Sequence, residues 1–167
     1  ETIERPAALS WPSADQARAA GLLIDLGEEL DRAYTDMLLS LSINRSLVKK
    51  HKDMKIVYTP LHGAGYRPVM RILQAAGFEQ VQVVESQALP DPDFSTVESL
   101  NPEERSALQL AIDQARREQA QLVIATDPDG DRTGLAVRTS SGDYQVLTGN
   151  QIGLLLMEYI LSARQEA

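Results

Sequence analysis

Short apolar runs alternate with stretches whose apolar residues recur every three or four positions, and this alternation restricts the chain to a layered α/β fold. The runs are Met54-Lys-Ile-Val-Tyr-Thr59, Val81 to Val84, and Leu122-Val-Ile-Ala-Thr126. Pro60 ends the first, because proline has no amide hydrogen for a sheet ladder. Before it, Leu30, Ala33, Met37, Leu38 and Leu41 mark a helix over about Glu28 to Leu41, with an acidic first turn that suits a helix N-terminus. A short helix is expected after Ser13. Val69, Ile72, Leu73 and Ala76 mark another helix, stopped by Gly77. Residues 85–102 read as a long loop with Pro90, Pro92 and Pro102. A helix is predicted to open near Pro102 or Glu103, capped by Asn101 and striped by Leu108, Ala111, Ile112 and Ala115. Thr133 to Thr139 reads as a strand that Ser141-Gly142-Asp143 turns into a hairpin with Tyr144 to Leu147. The last helix is predicted from near Thr148, with Ile152, Leu155, Leu156, Tyr159 and Ile160 on one stripe; Tyr58, Tyr144 and Tyr159 fall on core periods. The expected fold is a three-layer α-β-α sandwich on a mixed, mostly parallel sheet of about four strands, with a terminal hairpin. Ligands of such sheets sit beyond the carboxyl ends of the strands.

The 167 residues suit about one domain. Residues 1–24 are expected to be a lead-in from a preceding domain, and 25–167 the domain itself. The chain starts at Glu1 rather than Met and reads as a piece of something longer. Cysteine is absent, which excludes disulfide scaffolds, thiolate zinc sites and a cysteine nucleophile. That fits a reducing compartment, and a cytoplasmic location is expected. The net charge is -8, and residues 72–104 contain no lysine or arginine but seven carboxylates. The basic cluster Arg45, Lys49, Lys50, Lys52 and Lys55 has no interleaved aromatics and reads as a solvated helix end, so nucleic acid is not an expected partner. No apolar run approaches the length of a membrane span, so no membrane partner is expected either.

The chemistry is concentrated in Ala125-Thr-Asp-Pro-Asp-Gly-Asp-Arg132. Asp127, Asp129 and Asp131 place three carboxylates within five residues, and they repel unless something positive sits among them. A hard divalent cation such as magnesium, with oxygen ligands at about 2.0–2.1 Å, removes that cost. Asp-Pro and Asp-Gly are also turn dipeptides, which accounts for one or two of the carboxylates. An EF-hand is excluded, because a strand precedes the loop and its twelfth position is Arg138. The strand-then-Asp-x-Asp-Gly pattern partly fits a haloacid-dehalogenase-like phosphatase, in which Asp127 would be the nucleophile.

The loop in its context resembles the α-D-phosphohexomutases, the phosphoglucomutase/phosphomannomutase family. Leu26-Gly-Glu-Glu-Leu-Asp-Arg-Ala-Tyr34, Thr59-Pro-Leu-His-Gly-Ala-Gly65, Pro90-Asp-Pro-Asp-Phe-Ser-Thr-Val97 with Asn101-Pro-Glu103, and Leu147-Thr-Gly-Asn-Gln-Ile-Gly153 are similar to further stretches of that family, in order. The resemblance covers about residues 21–163 and is to the second of four domains. It implies interconversion of sugar 1-phosphates and 6-phosphates, glucose being the expected sugar, through a sugar 1,6-bisphosphate and a phosphoserine in another domain. It further implies that Asp127, Asp129 and Asp131 ligate Mg2+, that Arg132 faces the phosphoryl group or bisphosphate, and that Asp131, Arg132 and His62 adjoin the substrate. His62 could touch phosphate or be satisfied within its own loop. Arg132 could also be a structural ion pair. The family's Thr-Ala-Ser-His-Asn-Pro serine loop, its Glu-x-Ser-Gly sugar loop and its Arg-x-Ser-Gly-Thr phosphate loop are not found. The implied partners are therefore the remaining domains of the same parent chain and a phosphosugar, and the chain alone is expected to be inactive. A non-catalytic metal-binding or interaction domain stands as the other alternative.

Overall fold

The pairing of three apolar strands with two helices that face opposite ways builds the body of the molecule. The computed structural model describes residues 11–165; Pro6 and the rest of 1–10 lie outside the described residues. Two compact units are distinguished, Glu1–Ala33 and Tyr34–Ala167. In the first, α1 (Ala14–Ala19) is capped by Ser13, whose hydroxyl accepts from the Gln16 amide while the Gln16 side chain accepts from the Ser13 amide. Helix α2 (Glu28–Ser40) starts in the first unit and continues into the second.

In the second unit follow α3 (Arg45–Lys50), β1 (Ile56–Thr59), α4 (Tyr66–Ala76), β2 (Val81–Val83), α5 (Gln109–Glu118), β3 (Leu122–Thr126), β4 (Thr133–Arg138), β5 (Tyr144–Leu147) and α6 (Gly149–Gln165). The five strands form one sheet in the order β2-β1-β3-β4-β5. Val57, Val123, Ala125 and Ala136 point to one face and pack with Leu108, Ala111, Ile112 and Ala115 on the α5 side. Tyr58, Ile124, Val81 and Val83 point to the other, against Tyr66, Val69 and Met70 of α4. Period-two alternation thus divides β1 and β3 between two apolar layers. Passing from β1 out to β2 and back across to β3 reverses direction, so crossovers of one hand put α4 and α5 on opposite faces.

The expected sheet of about four mostly parallel strands is corrected. β1 runs parallel to β2 and β3, over three and four matched positions. β4 is antiparallel to β3 over five positions and to β5 over four, so antiparallel pairing predominates and the hairpin belongs to the sheet. Only residues 127–132 link β3 to β4. A parallel return needs a dozen or more residues.

Two other expectations change. The segment after Asn101 forms successive i→i+3 turns, and α5 begins only at Gln109. Asn101 does not cap a helix; its side-chain oxygen accepts from the Glu103 amide at 3.2 Å in an Asx turn, and α5 follows Leu108 without a side-chain cap. Pro102, however, is pressed against β4 at Gly134, and this holds the segment on the sheet. Helix α6 carries the predicted apolar stripe, yet Leu155, Tyr159 and Ile160 are exposed, Leu155 by 59%. Tyr58 and Tyr144 are buried as their periods suggest, whereas Tyr159 is not. The Tyr144 hydroxyl instead ties the sheet to the Ala115 and Ala120 carbonyls at the end of α5.

Between β2 and α5, Asp91 organises a turn. Its carboxylate accepts from the Ser95 hydroxyl at 2.5 Å, the Ser95 amide at 2.9 Å and the Asp93 amide at 3.0 Å. The Ser95 hydroxyl first, then these two amides, hold the Asp91 carboxyl down at about 2. A depressed carboxyl stabilises the fold above its ordinary value of 3.8, and that contribution disappears as pH falls toward about 2. The melting-temperature gap between the unaltered chain and Asp91→Asn should therefore be full near neutrality and close between these two values. A gap that persists at the lower pH would contradict this account.

Candidate metal centre

Because β1 and β3 are parallel neighbours, the segments that leave them emerge at the same sheet end. These are residues 60–65 and 127–132. The second is the loop of a hairpin, fixed at both ends by the β3–β4 ladder, whose outermost matched pair is Thr126 with Thr133. Inside it the Gly130 amide donates to the Asp127 carbonyl at 3.1 Å, and Gly130 has φ +76, a left-handed turn that glycine adopts freely.

This turn brings one carboxylate oxygen each of Asp127, Asp129 and Asp131 within 4.8 Å of one another. Asp127 is fully buried; Asp129 and Asp131 are exposed. Asp127 accepts from the Arg132 amide at 2.9 Å and from Arg132 Nε at 2.7 Å, one bond on each oxygen. Burial by itself raises the Asp127 carboxyl, but the Arg132 amide and guanidinium outweigh burial and hold it below its ordinary value. Asp131 is raised, first by its hydrogen bond with Asp127 and then by repulsion from Asp129 and Asp127; Arg132 opposes this only in part. Three carboxylates are thus crowded beyond what one guanidinium neutralises.

The oxygen-only donor set and this residual negative charge fit a hard divalent cation. Octahedral ligands at about 2.1 Å lie about 3–4 Å from one another, so small side-chain rotations close the cluster on an ion.

The 60–65 segment forms a wall against this loop. The Ala64 amide donates to the Pro128 carbonyl at 2.8 Å. A side chain on Gly63 would fall 2.5 Å from the same oxygen. One on Gly65 would meet Thr126 Oγ1 at 2.6 Å and the Tyr58 hydroxyl at 2.8 Å. A recess of about 250 Å³ opens between Tyr34, Leu38, Val69, Ile72 and the Asp129–Gly130 turn. A larger one of about 670 Å³ lies along β2, α4 and α5 and contains no residue of the Asp loop; donor chemistry, not volume, places the centre.

The structure brings together Asp127, Asp129, Asp131 and Arg132. His62 lies on the adjoining segment, 6% exposed, with Nδ1 2.8 Å from the Leu89 carbonyl and Nε2 2.8 Å from Thr96 Oγ1. Two features of the site had not been foreseen. The hydroxyls of Tyr58 and Thr126 pair at 2.9 Å beneath the loop, and the Thr59 hydroxyl donates to Gln87 Oε1 at 2.7 Å. Threonine as the last residue of both β1 and β3 was the visible signal for these; Gln87 had none.

A profile of the phosphoglucomutase/phosphomannomutase alpha/beta/alpha domain II matches residues 32–142. The chain belongs to this family. Over 109 residues it is 48% identical to a phosphoglucomutase of Staphylococcus haemolyticus, an alignment that covers 65% of this chain and 20% of that protein. Over 107 residues it is 45% identical to a phosphoglucomutase of Staphylococcus aureus strain USA300, covering 64% and 19%. The chain thus spans about a fifth of the length of these relatives. A solved phosphoglucomutase/phosphomannomutase family protein from Burkholderia thailandensis superposes with a TM-score of 0.56 at 23% identity, over 76% of this chain and 26% of that one, which supports the fold. Within the phosphoglucomutase/phosphomannomutase match fall the Asp loop, the 60–65 wall and the Asp91 turn. No helix among the described residues is long and apolar enough to cross a membrane.

Proposed function

We propose that this chain is the metal-presenting domain of a phosphohexomutase, a cytoplasmic isomerase that interconverts sugar 1-phosphates and 6-phosphates, with glucose as the sugar. Residues 25–167 form the domain on this reading, which keeps α2 whole. The convergence of Asp127, Asp129 and Asp131 in a hairpin loop of this family carries the proposal. These three side chains would hold Mg2+, which when bound supplies positive charge to a phosphoryl group. Arg132 uses Nε to hold Asp127, and its side chain is still 54% exposed, so the rest of the guanidinium can reach phosphoryl oxygens or a sugar bisphosphate. Asp131 sits beside it, with Arg132 Nε 3.6 Å from Asp131 Oδ1. Phosphoryl transfer asks mainly for such positioning and charge.

The remaining machinery would come from other domains of the parent chain. The relatives are about five times longer than the matched stretch. No serine loop of the family type occurs in the sequence. The exposed apolar stripe of α6 is the kind of surface that a neighbouring domain covers. Against the dehalogenase-like alternative stands the match of residues 32–142, Asp loop included, to the phosphoglucomutase/phosphomannomutase domain II.

Manganese titration of the 167-residue chain, followed by electron paramagnetic resonance with magnesium as competitor, tests the centre. Asp129→Asn should weaken binding by about tenfold, since ligand charge count sets affinity. Unchanged affinity would sink the triplet assignment. In parallel, the chain given glucose 1-phosphate, magnesium and glucose 1,6-bisphosphate should show no mutase turnover; turnover abolished by Asp127→Ala would overturn the view that other domains are required.

A further inference from the structure

Residues 60–65 adopt a conformation that their sequence does not favour. Leu61 and His62 are consecutive non-glycine residues at φ +47 and +65, in the left-handed region. Such backbone persists only where its surroundings over-determine it. Here the Leu61 amide donates to Thr59 Oγ1 at 3.2 Å, the His62 amide to the Gln87 carbonyl at 2.9 Å and the Gly63 amide to the Pro60 carbonyl at 2.8 Å. The imidazole supplies the remaining constraint. The Leu89 carbonyl can only accept, so Nδ1 carries the hydrogen, and Nε2 pairs with the Thr96 hydroxyl. The ring also meets Phe94 edge to face, with centroids 6.2 Å apart. His62 thereby fastens the 60–65 segment to residues 89–96.

This turn brings the 60–65 backbone directly against the Asp loop. Gly63 lies flush against Pro128, and the Ala64 amide is spent on the Pro128 carbonyl. Pro128 stands between Asp127 and Asp129. The path from the His62 ring to the carboxylate cluster therefore runs through one backbone turn and one hydrogen bond.

We propose that His62 is a positioning residue for the divalent-cation centre: it touches neither cation nor substrate, and it holds the 60–65 backbone in the strained form that sets Pro128 and so spaces Asp127 and Asp129. This rests on the reading of the Asp loop as a metal centre.

The test is manganese affinity of the 167-residue chain, measured well below the melting temperature of each variant. His62→Ala should weaken binding by about three- to tenfold, at or below the effect of losing a partner that orients a metal ligand. His62→Asn, whose amide can still donate to Leu89, should recover part of the loss. Thr96→Val, which removes the Nε2 partner together with the Thr96 Oγ1 acceptor of Gln87 Nε2 but leaves the imidazole on Leu89, should produce a smaller loss of the same kind. Tyr144→Phe, which loosens α5 far from this segment, should lower the melting temperature and leave manganese affinity unchanged. Folded His62→Ala with unaltered affinity would overturn the proposal. If that variant does not fold, unaltered affinity in both His62→Asn and Thr96→Val would overturn it. Failure of the unaltered chain to bind manganese would overturn the metal centre itself, and the positioning role with it.

Discussion

Arg132→Ala is expected, on the proposed function, to lower mutase turnover of the intact polypeptide by about 10²–10³-fold, the usual loss when one donor is removed from a preorganised charge-stabilising site. The guanidinium has two tasks. It neutralises a buried carboxylate through Nε, and on the proposed reading it meets the phosphoryl group with its outer nitrogens. Arg132→Lys separates them. Lysine keeps a positive charge near Asp127 but loses the planar fork that engages two oxygens at once. Turnover should therefore stay low in Arg132→Lys, while the melting temperature, lowered in Arg132→Ala by leaving buried Asp127 without its cationic partner, should partly recover. Steady-state kinetics with glucose 1-phosphate checks this. Turnover and substrate affinity both unaffected by Arg132→Ala would make the residue purely structural.

Gly134→Ala should destabilise the fold by about 3 kcal/mol, the upper part of the usual overpacking range. A methyl group there would lie 2.6 Å from the carbonyl carbon of Pro102 and 2.9 Å from its Cβ. Neither side can yield. Gly134 pairs with Ala125 within the β3–β4 ladder, one position in from its outermost pair, and Pro102 is fully buried. For a domain of this size the loss corresponds to a melting temperature lower by about 6–12 °C. Gly153→Ala is the contrast. That glycine sits within α6 with open space around it, and alanine there should stabilise by about 1 kcal/mol through helix propensity. Thermal denaturation of the two variants distinguishes a packing requirement from a general intolerance of substitution; an unchanged melting temperature in Gly134→Ala would refute the tight seat of Pro102.

Where an element depends on local chemistry, the sequence was enough to place it. β3 and β5 coincide with their apolar runs, and Gly77 stops α4 in a left-handed cap at φ +111. The Asp triplet was legible for the same reason, since its three members lie within five residues. Strand direction was misread because apolar runs report burial, not orientation. The decisive quantity was the six-residue link between β3 and β4, too short for a parallel crossover. The late start of α5 depends on Pro102 meeting a strand that follows it by thirty residues, which no local pattern reports. The periodicity of α6 was real, but periodicity marks an apolar face without showing what covers it. His62 was legible as a loop residue only. Its partners Leu89 and Thr96 lie 27 and 34 positions away, in a segment without regular structure.

The connectivity of the sheet also sets an order of assembly. β3, β4 and β5 are joined by six and five residues, whereas 62 residues separate β1 from β3. Closing the longer link costs about 2 kcal/mol more in chain entropy than closing the shorter one. Contacts of low sequence separation form first. On loop-closure cost the β3–β5 meander is therefore expected to pair first, which would draw the carboxylates at its tip together before the 60–65 segment seats against Pro128. In that order their mutual repulsion would act on the folding chain and not only on the finished site, and a divalent cation, on the proposed reading of the centre, would hasten the closing of this hairpin.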